Sequence, residues 1–517
     1  MEIYVLIDDK AQGPYTRELI CKYLNSGQLK PTDLAAYAGR ADWKPLSTLI
    51  QAWRSSAASK GTQHPAAISD GASSRRKWMV ALIAVEAVLV VAAGGFTFWK
   101  QHKTAARGIT GSGSSLPNSL TELNAMYVEP PEGQNAALFY LKGLDSLEIS
   151  QADLNSADLP VLGRGVMPAS GEPLSPRARA SIADLLQRNE PTLIALQQGM
   201  AFEQARYPID LTQGSDTLLP HLIKIKKAIQ LNQLRTMMYA DDKQPQDAAD
   251  SLLLSLALAQ SLKDEPVLIS QLVRVAGNAI SMASLDYTLN SVAIPPGDLE
   301  RLSVAFAVAE AQESAGNGFT RALVAERVGA FAYLDLPSDK LEEEIRKIQG
   351  YNRDNPNLPR NLSAKQWLQN LKLQRAFLAE TFDHALAMRR EPFPSRLKVD
   401  EYLEARTAEA KGKEFYLCQI WLAGISGGTK REAKGLSNLR LAQTAVALER
   451  FRQEKKSYPD SLAALVPKFL PEVPSDPANG AELRYETKGE SYEVSSTAIN
   501  APKPQSIKVV KPPRLAF

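Results

Sequence analysis

The rhythm of apolar and polar positions changes several times along this chain. Ile3-Tyr4-Val5-Leu6-Ile7 is a strand-like run stopped by Asp8-Asp9, with a turn expected at Gln12-Gly13-Pro14. Thr16 then caps a helix in which Leu19, Ile20, Tyr23 and Leu24 fall at helical spacing, and Gly27 ends it. Residues 34–37 read as a second short strand, followed by Gly39, Asp42-Trp43-Lys44-Pro45-Leu46 and a last helical turn over 48–53. From 78 to 99 the polarity almost disappears: an apolar run of about 22 residues carries Trp78 and Trp99 at its ends, Arg75, Arg76 and Lys77 before it and Lys100 after it. At about 1.5 Å per residue a helix of that length covers the roughly 30 Å hydrocarbon core of a bilayer. The flanking tryptophans sit where an aromatic belt would anchor it.

Beyond the span the period becomes helical. Residues 178–200 carry Ile182, Leu185, Leu186, Leu193 and Leu196 on one face, and 221–239 read as a second helix. A third covers 247–262, with Leu252, Leu256 and Ala259 inward. The next starts at Pro266 and runs through Ile269, Leu272, Val273, Ala276 and Ile280, apolar positions expected to pack in the core; Asp298 then caps a helix that runs to about 313. Loops such as 241–246 and 263–265 are short enough to make neighbouring helices antiparallel. No clean 34-residue period emerges, so the reading is an irregular, repeat-like helical array. Residues 436–456 form a last amphipathic helix, and two strands, 482–487 and 491–495, meet at Lys488-Gly489-Glu490.

The pattern divides the chain into a small domain at 1–53, a flexible Ser/Ala/Gly-rich linker at 54–76, the transmembrane helix at 77–99 and a second linker at 100–117. A large, mainly α-helical extracytoplasmic domain at 118–435 follows, then a small α+β segment at 436–499 and a proline-rich tail at 500–517. The fold class is therefore multidomain: a small α+β domain, one membrane helix, and a mainly helical domain ending in an α+β segment. A cleaved signal peptide does not fit, because a folded-looking segment precedes the run and the run is too long. Lys60, Arg75, Arg76 and Lys77 on one side against Lys100, Lys103 and Arg107 on the other favour a cytoplasmic N-terminus. The expected location is a bacterial inner membrane, crossed once. Glu86 lies mid-span. Two readings stay open for it: a polar contact that pairs two such helices in a homodimer, or a protonated carboxyl that the helix tolerates.

Charge narrows the function classes. Sixty Lys and Arg against 57 Asp and Glu leave a net charge of +3, which offers no concentrated basic surface for nucleic acid. Cys21 and Cys418 fall on opposite sides of the span and do not pair. His64, His102, His221 and His384 are scattered, so neither a metal nor a cofactor is expected. Asp383-His384 has no accompanying nucleophile, Glu342-Glu343-Glu344 reads as a solvated helix face, and 424–428 lacks the ending of a phosphate loop. No catalytic residue is assigned.

Tyr4, Gly13, Pro14, Tyr15, Leu19, Gly27, Gly39, Trp43 and Leu46 follow one another as in the bacterial variant of the GYF domain, which the first fifty residues resemble. Ile3 stands where that family often has tryptophan, and Ala36-Tyr37 where a Val-Trp pair is common. The resemblance implies binding of proline-rich peptides, with Tyr15, Tyr37 and Trp43 as the aromatic surface beside Gly13 and Pro14. A polyproline II ligand suits such a surface, since it arrives with little conformational entropy left to lose. Trp43 could equally fill the small domain's core. The order helix, Tyr458-Pro459, Leu462, Leu465, Pro474, Asp476-Pro477 and then strands resembles the C-terminal half of type II secretion pseudopilins. That likeness implies a local α+β fold. The leading expectation is a membrane adaptor or scaffold whose N-terminal domain binds a partner's peptide segment. The alternative is an envelope enzyme with its site among the helices.

Overall fold

β-Branched and aromatic residues dominate Ile3–Ile7, and that segment is β1 in the computed structural model, which describes residues 3–7, 10–15, 33–37, 44–45, 116–351, 363–497 and 505–510. The chain forms two units, Met1–Gly94 and Gly95–Phe517. In the first, β1 is joined by β2 (Lys10–Tyr15), β3 (Leu34–Tyr37) and β4 (Lys44–Pro45) in an antiparallel sheet of order β2-β1-β3-β4. Gln12-Gly13-Pro14, expected as a turn, lies within strand β2. The register explains how a proline is tolerated there. Val5 pairs with Gln12 but Ile3 with Tyr15, so three steps on β2 oppose two on β1 and Gly13-Pro14 fall at the irregularity. A bulge on an edge strand needs no ladder N–H from proline. The helix expected after Thr16, the turn at 48–53, Trp43, and the membrane span with Glu86 lie outside the described residues.

The second unit is mainly helical. Residues 178–200 break into α1 (Pro176–Arg188) and α2 (Glu190–Gly199), not the single helix expected. Asn189 ends the first, its side-chain amide donating to Leu185 O at 2.9 Å and to Glu148 O at 2.8 Å, and Pro191 sits in the first turn of the second. Next come α3 (Pro220–Asp241), α4 (Pro245–Gln260), α5 (Leu268–Ser291), α6 (Pro296–Ala315) and α7 (Asn317–Leu334). Pro295, not Asp298, is the N-cap of α6; Asp298 lies in its first turn and holds Arg301 at 2.9 Å. Farther on are α8 (Leu371–Met388), α9 (Lys398–Gly412), α10 (Tyr416–Ile425) and α11 (Gly428–Lys455). The division drawn between 435 and 436 falls inside α11.

A second sheet, β5 (Arg484–Lys488), β6 (Ser491–Ser495) and β7 (Ser506–Val509), closes the unit in the order β5-β6-β7. The stretch read as a proline-rich tail thus contributes a strand. Ile507 and Val509 alternate inward and are fully buried with Val494 and Tyr492. They share one core with Leu252 of α4, Leu285 of α5, Phe306 of α6 and Leu441 of α11, so helices and sheet are one packed body there.

The largest departure concerns α5. Ile269 is exposed, and Leu272, Val273, Ala276 and Ile280 are only half-buried. The buried face is polar instead: Ser270, Gln271, Arg274, Asn278 and Ser281. The helix packs against α3, α4, α7 and α11, and the partners of those groups come from α4, α6, the 262–265 loop and the helix's own backbone. Gln271 Nε2 donates to Leu262 O at 2.9 Å and Glu265 O at 2.7 Å, Gln260 donates to Asn278 Oδ1 at 2.8 Å, and Ser281 donates to Gly277 O at 3.0 Å. Polar groups can occupy an interior when bonds replace the lost water. Among the described residues α5 is also the one helix long and apolar enough to cross a membrane by length and composition, a test that a core helix passes too.

Candidate functional site

In the first unit, the register brings two of the candidate aromatics into line. Ile3 pairs with Tyr15 on one side and with Tyr37 on the other, so Tyr15, Ile3 and Tyr37 occupy one transverse row across β2, β1 and β3. Residues of one row belong to one face of a pleated sheet, and two strand spacings put the outer positions about 10 Å apart. A polyproline II helix advances about 9 Å in each three-residue turn. Gly13 and Pro14 lie at the β2 edge beside that row. Sequence order alone did not reveal this alignment, because it depends on which residue of β1 each strand meets.

In the second unit, the converging titratable groups form an ionic centre that no local motif announced. Arg274 of α5 pairs with Glu313 near the end of α6. Arg389, just past α8, donates to both oxygens of Glu432 on α11, at 3.0 and 2.9 Å, and Arg396 Nη1 donates to Glu432 Oε1 at 3.3 Å. Arg389 also reaches Thr320 Oγ1 at 3.0 Å and Gly316 O at 3.2 Å. Asp400 of α9 accepts from Thr429 N at 3.2 Å and Lys430 N at 2.7 Å, so a carboxylate of the chain itself fills the start of α11. Both glutamates are completely buried. Burial raises the Glu313 carboxyl, with Arg274 pulling it back down and Glu432 pushing it up further. Gly316 is required at its position: its φ is +70°, and a Cβ there would sit 2.4 Å from Arg396 Nη1.

A separate buried pair joins His221 at the start of α3 to Glu265 before α5. His221 Nε2 lies 3.0 Å from Glu265 Oε2, Ser270 donates to Glu265 Oε1 at 2.5 Å, and the Tyr207 ring stacks on the imidazole with centroids 4.3 Å apart. The partners lie 44 positions apart, so the chain's only local hint was an acidic residue beside Pro266 at a helix start. Asp383 and His384 do not assemble a centre: Asp383 pairs with Arg327 at 3.0 Å, and His384 lies against the Tyr402 ring. Burial pushes the Cys418 thiol up to about 12, which keeps it protonated and unreactive near neutrality. Among the described residues no group of three His, Cys, Asp or Glu is placed to hold a metal ion.

The model of the family GYF domain 2 matches residues 4–51, which supports the GYF-like character of the N-terminal domain. No curated protein matches the chain, and no solved structure does either.

Proposed function

We propose that this protein is a single-pass membrane adaptor or scaffold whose GYF-like domain binds proline-rich or similar peptide segments of a partner protein. The observation that carries the reading is the family match over residues 4–51, together with the Tyr15–Ile3–Tyr37 row inside the matched segment. In this reading Tyr15, Tyr37 and Trp43 form the aromatic shelf, and the apolar run at 78–99 anchors the chain in a bacterial inner membrane, with Glu86 available to pair two anchors. The helical unit acts outside the cytoplasm as a contact body without catalytic chemistry; the charges of its central buried cluster, Arg274–Glu313 and Arg389–Glu432, are closed on one another and its cysteine is held as a thiol. The chain's own Pro295-Pro296 pair is a poor competitor for the shelf, since it forms the start of α6.

A short peptide buries little surface, so affinities of roughly micromolar or poorer are expected. Titrating isotope-labelled residues 1–54 with a panel of proline-rich peptides should shift amides around Tyr15, Tyr37 and Trp43. Tyr15→Ala or Tyr37→Ala should abolish those shifts without unfolding the domain, whereas Trp43→Ala should also destabilise it if the ring fills the core. Silence at millimolar peptide would remove the peptide-binding reading. The topology has its own check. A reporter that matures only outside the cytoplasm should give signal when fused to the C-terminus and none when fused to the N-terminus; the reverse result overturns the orientation.

A further inference from the structure

Between α7, α9 and α10 lies a crevice, bounded by Leu268, Phe319, Leu323, Val399, Leu403 and Ile425, that holds about 320 Å³ of empty space counted to its mouth. Little of that space is wide enough for a water-sized group, which excludes rings and leaves room for no more than the end of an unbranched chain. Two charged residues line it, Glu326 of α7 and Arg389. Arg389 has its donors engaged by Glu432, Gly316 O, Thr320 and Thr429. The neighbouring ionic centre balances itself, with Arg274, Arg389 and Arg396 against Glu313, Glu432 and Asp400. Glu326 stands outside that balance. It is half-buried, and among the described residues no group hydrogen-bonds or ion-pairs with its carboxylate. A carboxylate in apolar surroundings with no counter-charge is costly, and a cation on an apolar stem would relieve that cost while covering the walls.

We infer that this crevice is a binding site for the ammonium end of an unbranched aliphatic amine, with Glu326 as its counter-ion and Leu323, Leu403 and Ile425 as the walls against its stem. The chemistry is shared by a free alkylamine and by a lysine side chain of another protein. Burial alone holds the Glu326 carboxyl up at about 7. The empty site is therefore partly protonated near neutrality, and an arriving ammonium displaces that proton. Arg389 is the other charged group lining the crevice; α5, α9, α10 and α11 contribute Leu268, Val399, Leu403, Ile425, Gly428 and Thr429, none of which titrates.

The test is a titration of the full-length protein in detergent, followed through the methyl resonances of Leu323, Leu403 and Ile425, with n-butylamine, Nα-acetyl-lysine methylamide and n-butanol as probes. Saturable shifts are expected for both amines, with butanol at least about tenfold weaker, the weight of a charge-assisted hydrogen bond. Tighter binding of the lysine analogue identifies a protein lysine as the natural source, tighter butylamine a free amine, and either supports the site. Glu326→Gln preserves the shape, melts no lower than the parent, and should weaken both amines by about tenfold or more. In the unaltered protein, affinity should rise from pH 6 to pH 8 as the carboxyl ionises. No saturable shift with either amine, an affinity indifferent to pH, or an undiminished response in Glu326→Gln overturns the proposal.

Discussion

Glu432→Ala is expected to destabilise the helical unit by about 3–5 kcal/mol, the cost of leaving a buried charge without its partner. Glu432 is completely buried and is the shared acceptor of Arg389 and Arg396, which are themselves 5% and 4% exposed. Its removal strands two guanidinium groups where water cannot reach them. The contrast that decides the mechanism is the Lys430–Glu404 pair two residues away in sequence. That pair is equally short at 2.8 Å, but both side chains are 55% exposed, so Glu404→Ala should cost less than about 1 kcal/mol. Equilibrium denaturation followed by circular dichroism measures both. If Glu432→Ala melts like Glu404→Ala, the centre is not closed to solvent as described. A Glu432→Leu, Arg389→Met, Arg396→Met combination should recover part of the loss, because an apolar replacement of a whole buried network leaves no unpaired charge.

Ending the chain after residue 499 should be more damaging still. Taken as a tail, residues 500–517 would be dispensable. As β7, the segment buries Ile507 and Val509 completely, each contributing about 1.5–3 kcal/mol. It also satisfies α5: Lys508 N donates to Asp286 Oδ1 at 2.9 Å, Val510 N to Asn290 Oδ1 at 3.0 Å, and Asn290 Nδ2 to Lys508 O at 2.8 Å. Those bonds let two helix side chains complete the outer edge of the sheet, which otherwise ends in unpaired backbone groups. The loss sums to about 5 kcal/mol or more, a large share of the 5–15 kcal/mol that typically holds a domain together. The truncated protein should therefore be cut rapidly by a protease that leaves the full chain intact, and should melt well below it. Equal protease resistance would show that β7 is not part of the core.

The helices of the second unit were legible because their signals are local. Leu252, Leu256 and Ala259 repeat at helical spacing and are all buried, and proline stands in the first turn of α1 through α4. Strand β3 was legible over the same residues, 34–37, that the alternation marked. The family signature of the N-terminal domain was readable for the same reason: its glycines, proline and aromatics lie within fifty residues of one another. Periodicity misled where burial and polarity parted company. On α5 the apolar stripe is real, yet Gln271, Arg274 and Asn278 are the residues that face inward, because α4, α6 and the 262–265 loop happen to carry their partners. Nothing within one helix reports that. Strand β7 escaped notice because four inward and outward residues between proline-rich stretches are too short a pattern to distinguish from a tail.

The sequence by itself determined the division into a GYF-like module, an apolar run and a helical remainder, since each depends on residues close together in the chain. The tertiary structure alone decided which face of α5 is interior, that Arg274, Arg389, Arg396, Glu313, Glu432 and Asp400 gather in one region, and that among the described residues Glu326 has no counter-charge. The physical reason is the same in each case. A hydrophobic side chain gains from burial whatever surrounds it, so its pattern can be read locally, whereas a charged one is stable inside only beside particular partners, and long-range packing chooses those.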